Sequence, residues 1–252
     1  MFCLLKIAYD DTFHGFQTQP GIRTVQGEIL RGLKPLGITK VLSSSRTDSH
    51  VRSAATVIEV EYDDVSKLCK VVDSLRGIAV TAYFVSNEFI NLRSGIEKEY
   101  WYISPLTTDP VKLSYTINEF LNGNISNFSR DRNKKVMIEK IANFNGSSYT
   151  LLIFSGRSFS WNFVRISAET IIRRSIGQVS DEEWQEMLRG KKTSRFKGKP
   201  ENLILANIKT NIPFIPYASS KIPEIRSSVL PLIVWLGFLD NSVKEFVEKA
   251  PL

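Results

Sequence analysis

The stretch "ATVIEVEYDDVSKLCKVVDSLRG" (residues 55–77) joins a strand pattern directly to a helix pattern. Its first eight residues are rich in β-branched side chains, which favour strands. The remainder begins with an aspartate suited to an N-cap, Asp63 or Asp64, and ends at Gly77, as helices commonly do. The apolar stripe expected to be buried on this helix consists of Leu68, Val71, Val72 and Leu75.

The same alternation continues on both sides of this stretch. Upstream, "CLLKIAY" (residues 3–9) predicts a strand, Thr24 caps a predicted helix over residues 25–33, and "KVL" predicts a short strand. Downstream, "IAVTAYFVSNEFI" and "EKEYWYISP" predict two further strands. Strands and helices in this order predict an α+β fold on an antiparallel sheet.

The second half of the chain repeats this style. Helix patterns occupy residues 109–123 and 158–177, and Ser180 with Glu183 forms a capping box before a third helix. Strand patterns occupy residues 135–146, 149–156 and 202–210. We therefore predict an N-terminal α+β half over residues 1–104, a C-terminal α+β half over residues 105–213, and a helical tail over residues 214–252.

Charge and composition narrow the classes of function. The 252 residues carry a net charge of +7, and this charge fits a polyanionic partner such as a nucleic acid. Cys3 and Cys69 belong to no cluster with zinc-ligand spacing, which predicts reduced thiols and no metal. No signal-like segment opens the chain and no apolar run reaches the length of a membrane span, which predicts a soluble, intracellular protein.

The loop "SSSRTDSHVRS" (residues 43–53) joins two predicted strands and carries one carboxylate, Asp48, between Arg46 and Arg52. An arginine close to a carboxylate favours its ionised form, which suits a nucleophile or a general base better than a general acid. The ordinary alternative is a turn carboxylate that accepts hydrogen bonds from local backbone amides.

Aromatic and basic residues are interleaved in three other stretches. "FHGFQ" (residues 13–17), "EYWY" (residues 99–102) and "FSWNFVR" (residues 159–165) could stack on unpaired bases, although aromatic residues in strands and helices usually belong to the core. "KKTSRFKGK" (residues 191–199) is a basic loop that could contact phosphates, or could simply be solvated.

Six segments resemble motifs of the TruA family of tRNA pseudouridine synthases, and the resemblance runs from residue 6 to about residue 213. "AYDDTFHGFQTQP" is similar to the opening "YDGTxFxGFQxQ" of the family, and "SRTDSHVRS" is similar to its catalytic loop "GRTDxGVHA". "KEYWYI" resembles the motif "K-x-Y-x-Y", and "FSWNFVRISAE" resembles "FLxxMVRxxVG". "LNGNISNFS" and "PENLILANIKTNIPF" are similar to two further family segments.

The resemblance implies a role for four residues. Asp48 corresponds to the catalytic aspartate of the family and Arg46 to the arginine that displaces the target base. Tyr100 corresponds to the tyrosine that stacks on the target uracil, and Arg165 to the arginine that pairs with the catalytic carboxylate.

The resemblance also implies a fold and an activity. The fold would consist of two RNA-recognition-like halves with antiparallel sheets, joined across a central cleft. The activity would be that of a cytoplasmic isomerase, a homodimer that converts uridine to pseudouridine at positions 38 to 40 of the tRNA anticodon arm without a cofactor or metal. The alternatives are an RNA-binding relative that no longer catalyses, and a hydrolase that uses Asp48 with His50.

Five positions depart from the family motifs. Ser45 and His50 replace two glycines of the catalytic loop, and Asp11 stands where a glycine is usual in the opening loop, which is also one residue shorter than the family pattern. A positive φ favours glycine, so His50 bears on the path of the catalytic loop. The remaining departures are Arg52 in place of histidine and Glu169 in place of the glycine that ends the helix motif.

Overall fold

The computed structural model describes residues 1–92 and 96–222, and it confirms the α+β class. The helices and strands follow one another in the order β1 (Phe2–Tyr9), α1 (Val25–Leu33), β2 (Leu42–Ser43), β3 (Arg52–Glu61), α2 (Val65–Ser74), β4 (Ile78–Ser86), β5 (Glu97–Ser104), α3 (Pro110–Asn122), β6 (Met137–Asn145), β7 (Thr150–Ser158), α4 (Phe163–Ser175), α5 (Asp181–Leu188), β8 (Leu203–Lys209) and β9 (Ile215–Pro216). Each helix and strand predicted before residue 211 is present.

The described chain divides into two compact units. Residues 1–92, 96–97 and 204–222 belong to the first unit, and residues 98–203 belong to the second. β5 lies in the second unit except for its first residue, Glu97, and β8 lies in the first unit except for its first residue, Leu203. The predicted halves instead divide the chain into residues 1–104 and 105–213. The assignment of functional halves stays a prediction, and the predicted tail helix lies outside the described residues beyond its first few positions.

The sheet of the first unit is built around β1, which pairs antiparallel with β3 and with β4. β2 adds to β3 and β9 adds to β4, both antiparallel. β8 instead pairs parallel with β3, through Arg52 with Ile204 and Ser53 with Leu205. The prediction of an antiparallel sheet is therefore wrong for the pair of β3 and β8. The alternation of apolar and polar residues in a strand indicates which side chains are buried but not the direction of the neighbouring strand, so the sequence did not indicate the parallel pairing of β8 with β3.

Two helices supply much of the core of the first unit. Val25, Ile29 and Leu33 of α1 are fully buried, as their spacing predicts, and Thr24 caps the helix by accepting the Gly27 N–H. On α2 the N-cap is Asp64, which accepts the Lys67 N–H. Its predicted apolar stripe is confirmed in part, with two residues fully buried and two partly buried: Leu68 and Val72, then Val71 and Leu75.

In the second unit, β7 pairs antiparallel with β5 and with β6. α4 is almost entirely buried. An aromatic cluster fills the space between helices, with ring centroids 4.9 Å apart for Phe120 and Phe128 and 5.8 Å apart for Phe128 and Trp184. α5 begins at Ser180, whose hydroxyl accepts the Glu183 N–H as the sequence predicts.

Candidate active site and nucleic-acid interface

The loop that carries Asp48 has a backbone held on both sides. Ser44 exchanges two hydrogen bonds with Val57 of β3, through its N–H at 2.9 Å and its hydroxyl at 3.1 Å. The Thr47 carbonyl accepts the Phe16 N–H at 3.2 Å from the opening loop. Strand and opening loop together therefore fix the path of the segment that leads to Asp48.

A tight turn follows the candidate nucleophile. The Asp48 carbonyl accepts the Val51 N–H at 3.2 Å, and His50 donates its N–H to the Phe13 carbonyl at 3.0 Å. Within this turn Asp48 is half-buried, whereas the Arg46 side chain is exposed. The backbone is ordered by hydrogen bonds while both candidate side chains reach the surface of the first unit.

A chain of buried hydroxyls lies beneath the loop. The Tyr9 hydroxyl lies 2.9 Å from Thr47 Oγ1 and accepts from Thr56 Oγ1 at 3.2 Å, and Thr56 Oγ1 lies 2.9 Å from Ser53 Oγ. Burial raises the pKa of Tyr9, so this phenol stays neutral as a hydrogen-bonding group. The sequence contained no signal for this network, because its members come from β1, the loop and β3.

Gly15 makes the contact between the two loops possible. Its φ is +93°, and a Cβ there would lie 3.1 Å from the Thr47 carbonyl oxygen and 3.3 Å from the Asp48 carbonyl carbon. A side chain at this position would be strained by its backbone conformation and would press on the Asp48 loop. The glycine of "FHGFQ" therefore allows the opening loop to lie against the candidate nucleophile.

Among the residues that depart from the family motifs, Asp11 contacts both His50 and Arg52. Arg52 forms an ion pair with the Asp11 carboxylate at 2.5 Å, and His50 Nδ1 lies 2.9 Å from the Asp11 carbonyl oxygen. His50 also adopts the left-handed conformation, with φ of +62°. The loop thus keeps a glycine-like path with a histidine at this position. The only sign of this cluster in the sequence was that Asp11, His50 and Arg52 all differ from the family motifs.

The aromatic residues of the opening loop belong to the core. Phe13 and Phe16 are only 2% and 1% exposed, and the Arg23 guanidinium lies 4.2 Å from the Phe13 ring centroid. Stacking of these two rings on nucleic-acid bases, which "FHGFQ" could have indicated, is therefore wrong. Their burial instead fixes the position of Gly15 between them.

Tyr100 lies on β5 in the second unit and is 7% exposed. Its ring centroid is 5.0 Å from that of Phe159, in an edge-to-face arrangement with an interplanar angle of 75°. Its neighbours Trp101 and Tyr102 are 3% and 0% exposed, so they belong to the core. Within this unit the Tyr100 ring packs against Phe159, and only a small part of the residue is accessible to solvent.

Arg165 lies on α4 and is also 7% exposed. Its Nε donates to the Gly198 carbonyl oxygen at 2.8 Å, and Nη1 donates to Asn162 Oδ1 at 3.2 Å. The Gly198 N–H returns a hydrogen bond to the Arg165 carbonyl at 3.1 Å. The guanidinium is therefore oriented by neighbours of its own unit, including the glycine near the end of the basic loop.

Glu169, which replaces a motif glycine, also has partners on the second unit. Its carboxylate accepts from the Tyr102 hydroxyl at 2.6 Å and from Arg173 Nε at 2.8 Å. Burial, and then the nearby carboxylate, raise the pKa of Tyr102. This departure from the motif is therefore accommodated by hydrogen bonds with β5 and with the next turn of α4.

The basic loop over residues 191–199 is exposed but attached to α5. Lys192 Nζ and Arg195 Nη1 each lie 3.5 Å from Glu183 Oε1, and the Arg195 guanidinium lies 4.9 Å from the centroid of the Phe196 ring. Lys191 and Lys197 are exposed as well. The loop presents several cations to solvent from a defined backbone, as a phosphate-binding segment would.

The four candidate residues divide evenly between the units. Arg46 and Asp48 lie on the first unit, and Tyr100 and Arg165 lie on the second. In the part of the chain that the structure describes, no three His, Cys, Asp or Glu side chains cluster as metal ligands would. No helix of residues 1–92 and 96–222 is long and apolar enough to cross a membrane.

Known proteins provide an independent comparison. No protein-family model matches the chain. A protein named tRNA pseudouridine synthase A from Pyrococcus furiosus is 34% identical over 232 residues, covering 83% of this chain and 84% of its own. Proteins of the same name from Pyrococcus horikoshii and Picrophilus torridus are each 32% identical, covering 81% and 86% of this chain and 83% and 86% of their own.

A comparison with solved structures adds little. A crystal structure of an unknown protein from Galdieria sulphuraria covers 86% of this chain and 98% of its own, with 9% identity and a TM-score of 0.25. A score this low carries no argument about the fold.

Proposed function

The chain belongs to the TruA family of tRNA pseudouridine synthases, and we propose that it isomerises uridine to pseudouridine at positions 38 to 40 of the tRNA anticodon stem-loop. The observation that carries this proposal is the loop of Arg46, Thr47 and Asp48, whose backbone is held while its charged side chains reach the surface. Such an arrangement presents a carboxylate to a substrate without any cost of ordering the loop.

The reaction needs a nucleophile and a place to turn the base. The glycosidic bond from N1 to C1′ breaks, the uracil rotates, and a bond from C5 to C1′ forms. C5 then loses its proton and N1 gains one, so the atoms balance without a redox partner or an energy source. Covalent attack by the Asp48 carboxylate, on the sugar or on the base, would divide this change into easier steps.

Three other residues would help to extrude the target uracil, hold it and orient the catalytic carboxylate. Extrusion of a stacked base costs a few kcal/mol, which insertion of the exposed Arg46 side chain and stacking on the Tyr100 ring would offset. Arg165, already oriented by Gly198 and Asn162, would pair with the catalytic carboxylate. These roles correspond to those that the family motifs assign to the matching positions.

We extend the proposal to the assembly that would bind the substrate. The two α+β units would be RNA-recognition-like halves that meet at a central cleft, and a cytoplasmic homodimer would bind one tRNA across both subunits. Exposed lysines and arginines such as Lys191 and Lys197 would contact phosphates and orient the tRNA without reading its sequence. Neither a metal nor a cofactor is required by this chemistry.

The test is conversion of unmodified tRNA by the purified protein, followed by chemical labelling that maps each pseudouridine. We expect labels at positions 38 to 40 in transcripts that carry uridine there, and none at these positions in matched transcripts with cytidine. Tight binding without conversion would favour the non-catalytic RNA-binding alternative. Turnover of a phosphodiester or ester without pseudouridine would favour a hydrolase that uses Asp48 with His50.

A further inference from the structure

Trp161 of the second unit is unusual among the tryptophans that the structure describes. Its side chain is 63% exposed, whereas Trp101 and Trp184 are 3% and 0% exposed. The residues around it are buried, with Ser160 and Asn162 each at 7%. The indole therefore projects from an ordered turn before α4, and its exposure cannot be attributed to a loose segment.

A basic segment accompanies this indole. "RDRNKK", residues 130–135, has four cationic residues and one anionic residue, a net charge of 4 − 1 = +3, and all six are exposed. Within the described chain none of the four cations takes part in an ion pair. By contrast, Arg157 on the neighbouring strand is paired with Glu139 at 2.8 Å. The segment thus carries a local positive charge that no ion pair among the described residues compensates.

Hydrogen bonds hold the basic segment against the turn that carries Trp161. The Trp161 carbonyl accepts the Arg130 N–H at 3.1 Å and the Ser129 hydroxyl at 3.1 Å. At the other end of the segment, Ser158 donates its hydroxyl to the Lys135 carbonyl at 2.8 Å. The segment is therefore attached at both ends to residues 158–161, so its cations and the indole share one surface.

We propose that Trp161 and residues 130–135 form an accessory tRNA-binding surface, where the indole stacks on an unpaired base and the cations bind the flanking phosphates. The inference rests on the proposed function only in taking tRNA as the partner. Charge alone would fit any polyanion, but an exposed aromatic platform beside unpaired cations matches a polyanion whose units have π-faces.

The base on Trp161 is not the base that reacts. An enzyme that modifies a base takes it into a close-fitting pocket, where its edge is read and water is excluded. An indole that is 63% exposed instead offers one open face. It would hold a nucleotide elsewhere in the tRNA and so contribute affinity and orientation.

The first arm of the test measures the stacking contact through the tRNA Kd over a series of salt concentrations. Stacking typically contributes enough that Trp161→Ala should raise Kd about tenfold, with the salt slope unchanged because no phosphate contact is lost. Trp161→Phe keeps an aromatic ring, so it should retain most of the affinity that Trp161→Ala loses. The matched control is Tyr115→Ala, since Tyr115 on α3 is also 63% exposed, and it should leave Kd unchanged.

The second arm measures the cations. Arg132→Gln, Lys134→Gln and Lys135→Gln together should lower the slope of log Kd against log salt by about two. The control removes three charges from the first unit, at the exposed residues Lys34, Lys67 and Lys70. An equal change of slope in both variants would contradict a local surface, because the effect would then follow net charge alone.

The outcomes separate this inference from the proposed function. Wild-type Kd and salt slope in Trp161→Ala, in a protein that still forms pseudouridine, would overturn the surface and leave the synthase intact. A protein that forms no pseudouridine, but in which Trp161→Ala weakens tRNA binding, would overturn the synthase and support the surface. Trp161-dependent binding to vesicles of anionic phospholipid, with tRNA binding unaffected, would assign the surface to a membrane and overturn the inference.

Discussion

The Asp48 loop of the first unit and the Tyr100 and Arg165 sites of the second unit differ in how their side chains are used. In the loop, backbone groups and the hydroxyls of Ser44 and Thr47 make the bonds that hold its path, while Arg46 is exposed and Asp48 is half-buried. In the second unit, Tyr100 and Arg165 are both 7% exposed, and their own side chains pack and donate hydrogen bonds. We therefore expect a change at Arg46 or Asp48 to affect activity more than stability, whereas a change at Tyr100 or Arg165 should affect both.

Asp48→Asn should give the largest change in activity and the smallest change in stability. Asparagine keeps the shape and the local hydrogen-bonding capacity but removes the charge and the nucleophilic oxygen. We expect pseudouridine per tRNA to become undetectable after long incubation, while the melting temperature and tRNA affinity stay near those of the wild type. Substantial activity in a well-folded variant would show that Asp48 is a turn residue and not the nucleophile.

Tyr100→Ala should change stability and activity together. Truncation of a large buried aromatic costs about 3–5 kcal/mol of unfolding free energy, and the stacking surface for uracil is lost with it. Tyr100→Phe should keep the edge-to-face contact with Phe159 and most of the stability, so it isolates the role of the hydroxyl. Denaturant unfolding of both variants, measured beside activity, provides the check. An unfolding free energy of Tyr100→Ala equal to that of the wild type would contradict the expected difference between the two units.

Neutralisation of Lys191, Lys192, Arg195 and Lys197 should weaken tRNA binding with little effect on the fold. Four lost phosphate contacts would lower the salt slope of log Kd by about three. Exposed ion pairs such as those with Glu183 contribute less than about 1 kcal/mol to stability. Because the side chains of these four residues are exposed, their loss should affect binding more than stability, as expected for the Asp48 loop. A salt slope equal to that of the wild type would leave residues 191–199 as a solvated loop.

Gly15→Ala should produce a smaller effect, and it has a matched control in Gly21→Ala. Both glycines have positive φ, but a Cβ at Gly15 would meet the Thr47 carbonyl oxygen at 3.1 Å, whereas nothing lies within 4 Å of one at Gly21. Each alanine should cost roughly 1 kcal/mol through its left-handed backbone, and Gly15→Ala should also lose activity because it displaces the Asp48 loop. Equal activity in the two variants would show that the loop contact is dispensable.

Much of the fold could be predicted from local patterns. The strand and helix of residues 55–77, the caps at Thr24, Asp64 and Ser180, and the buried face of α1 all follow from the chemistry of neighbouring residues. The Arg-Thr-Asp segment likewise pointed to the candidate site through its own residues and through the family motif. These features depend on positions a few residues apart, so one sequence contains their signal.

Other features depend on residues far apart in the chain. Aromatic residues beside basic ones suggested stacking, yet Phe13 and Phe16 are core residues and Trp161 is the exposed ring. A hydrophobic side chain is buried or exposed according to which distant segments cover it, and its own neighbourhood in the sequence does not report this.

The order and type of the elements, the resemblance to the family, and the candidate residues Arg46, Asp48, Tyr100 and Arg165 could all be read from the sequence. The parallel pairing of β8 with β3, and the contacts of Asp11 with His50 and with Arg52, could be learned only from the three-dimensional arrangement of the chain. Periodicity and capping are short-range properties of the chain, whereas strand direction, burial and side-chain contacts are set by partners brought together from distant positions.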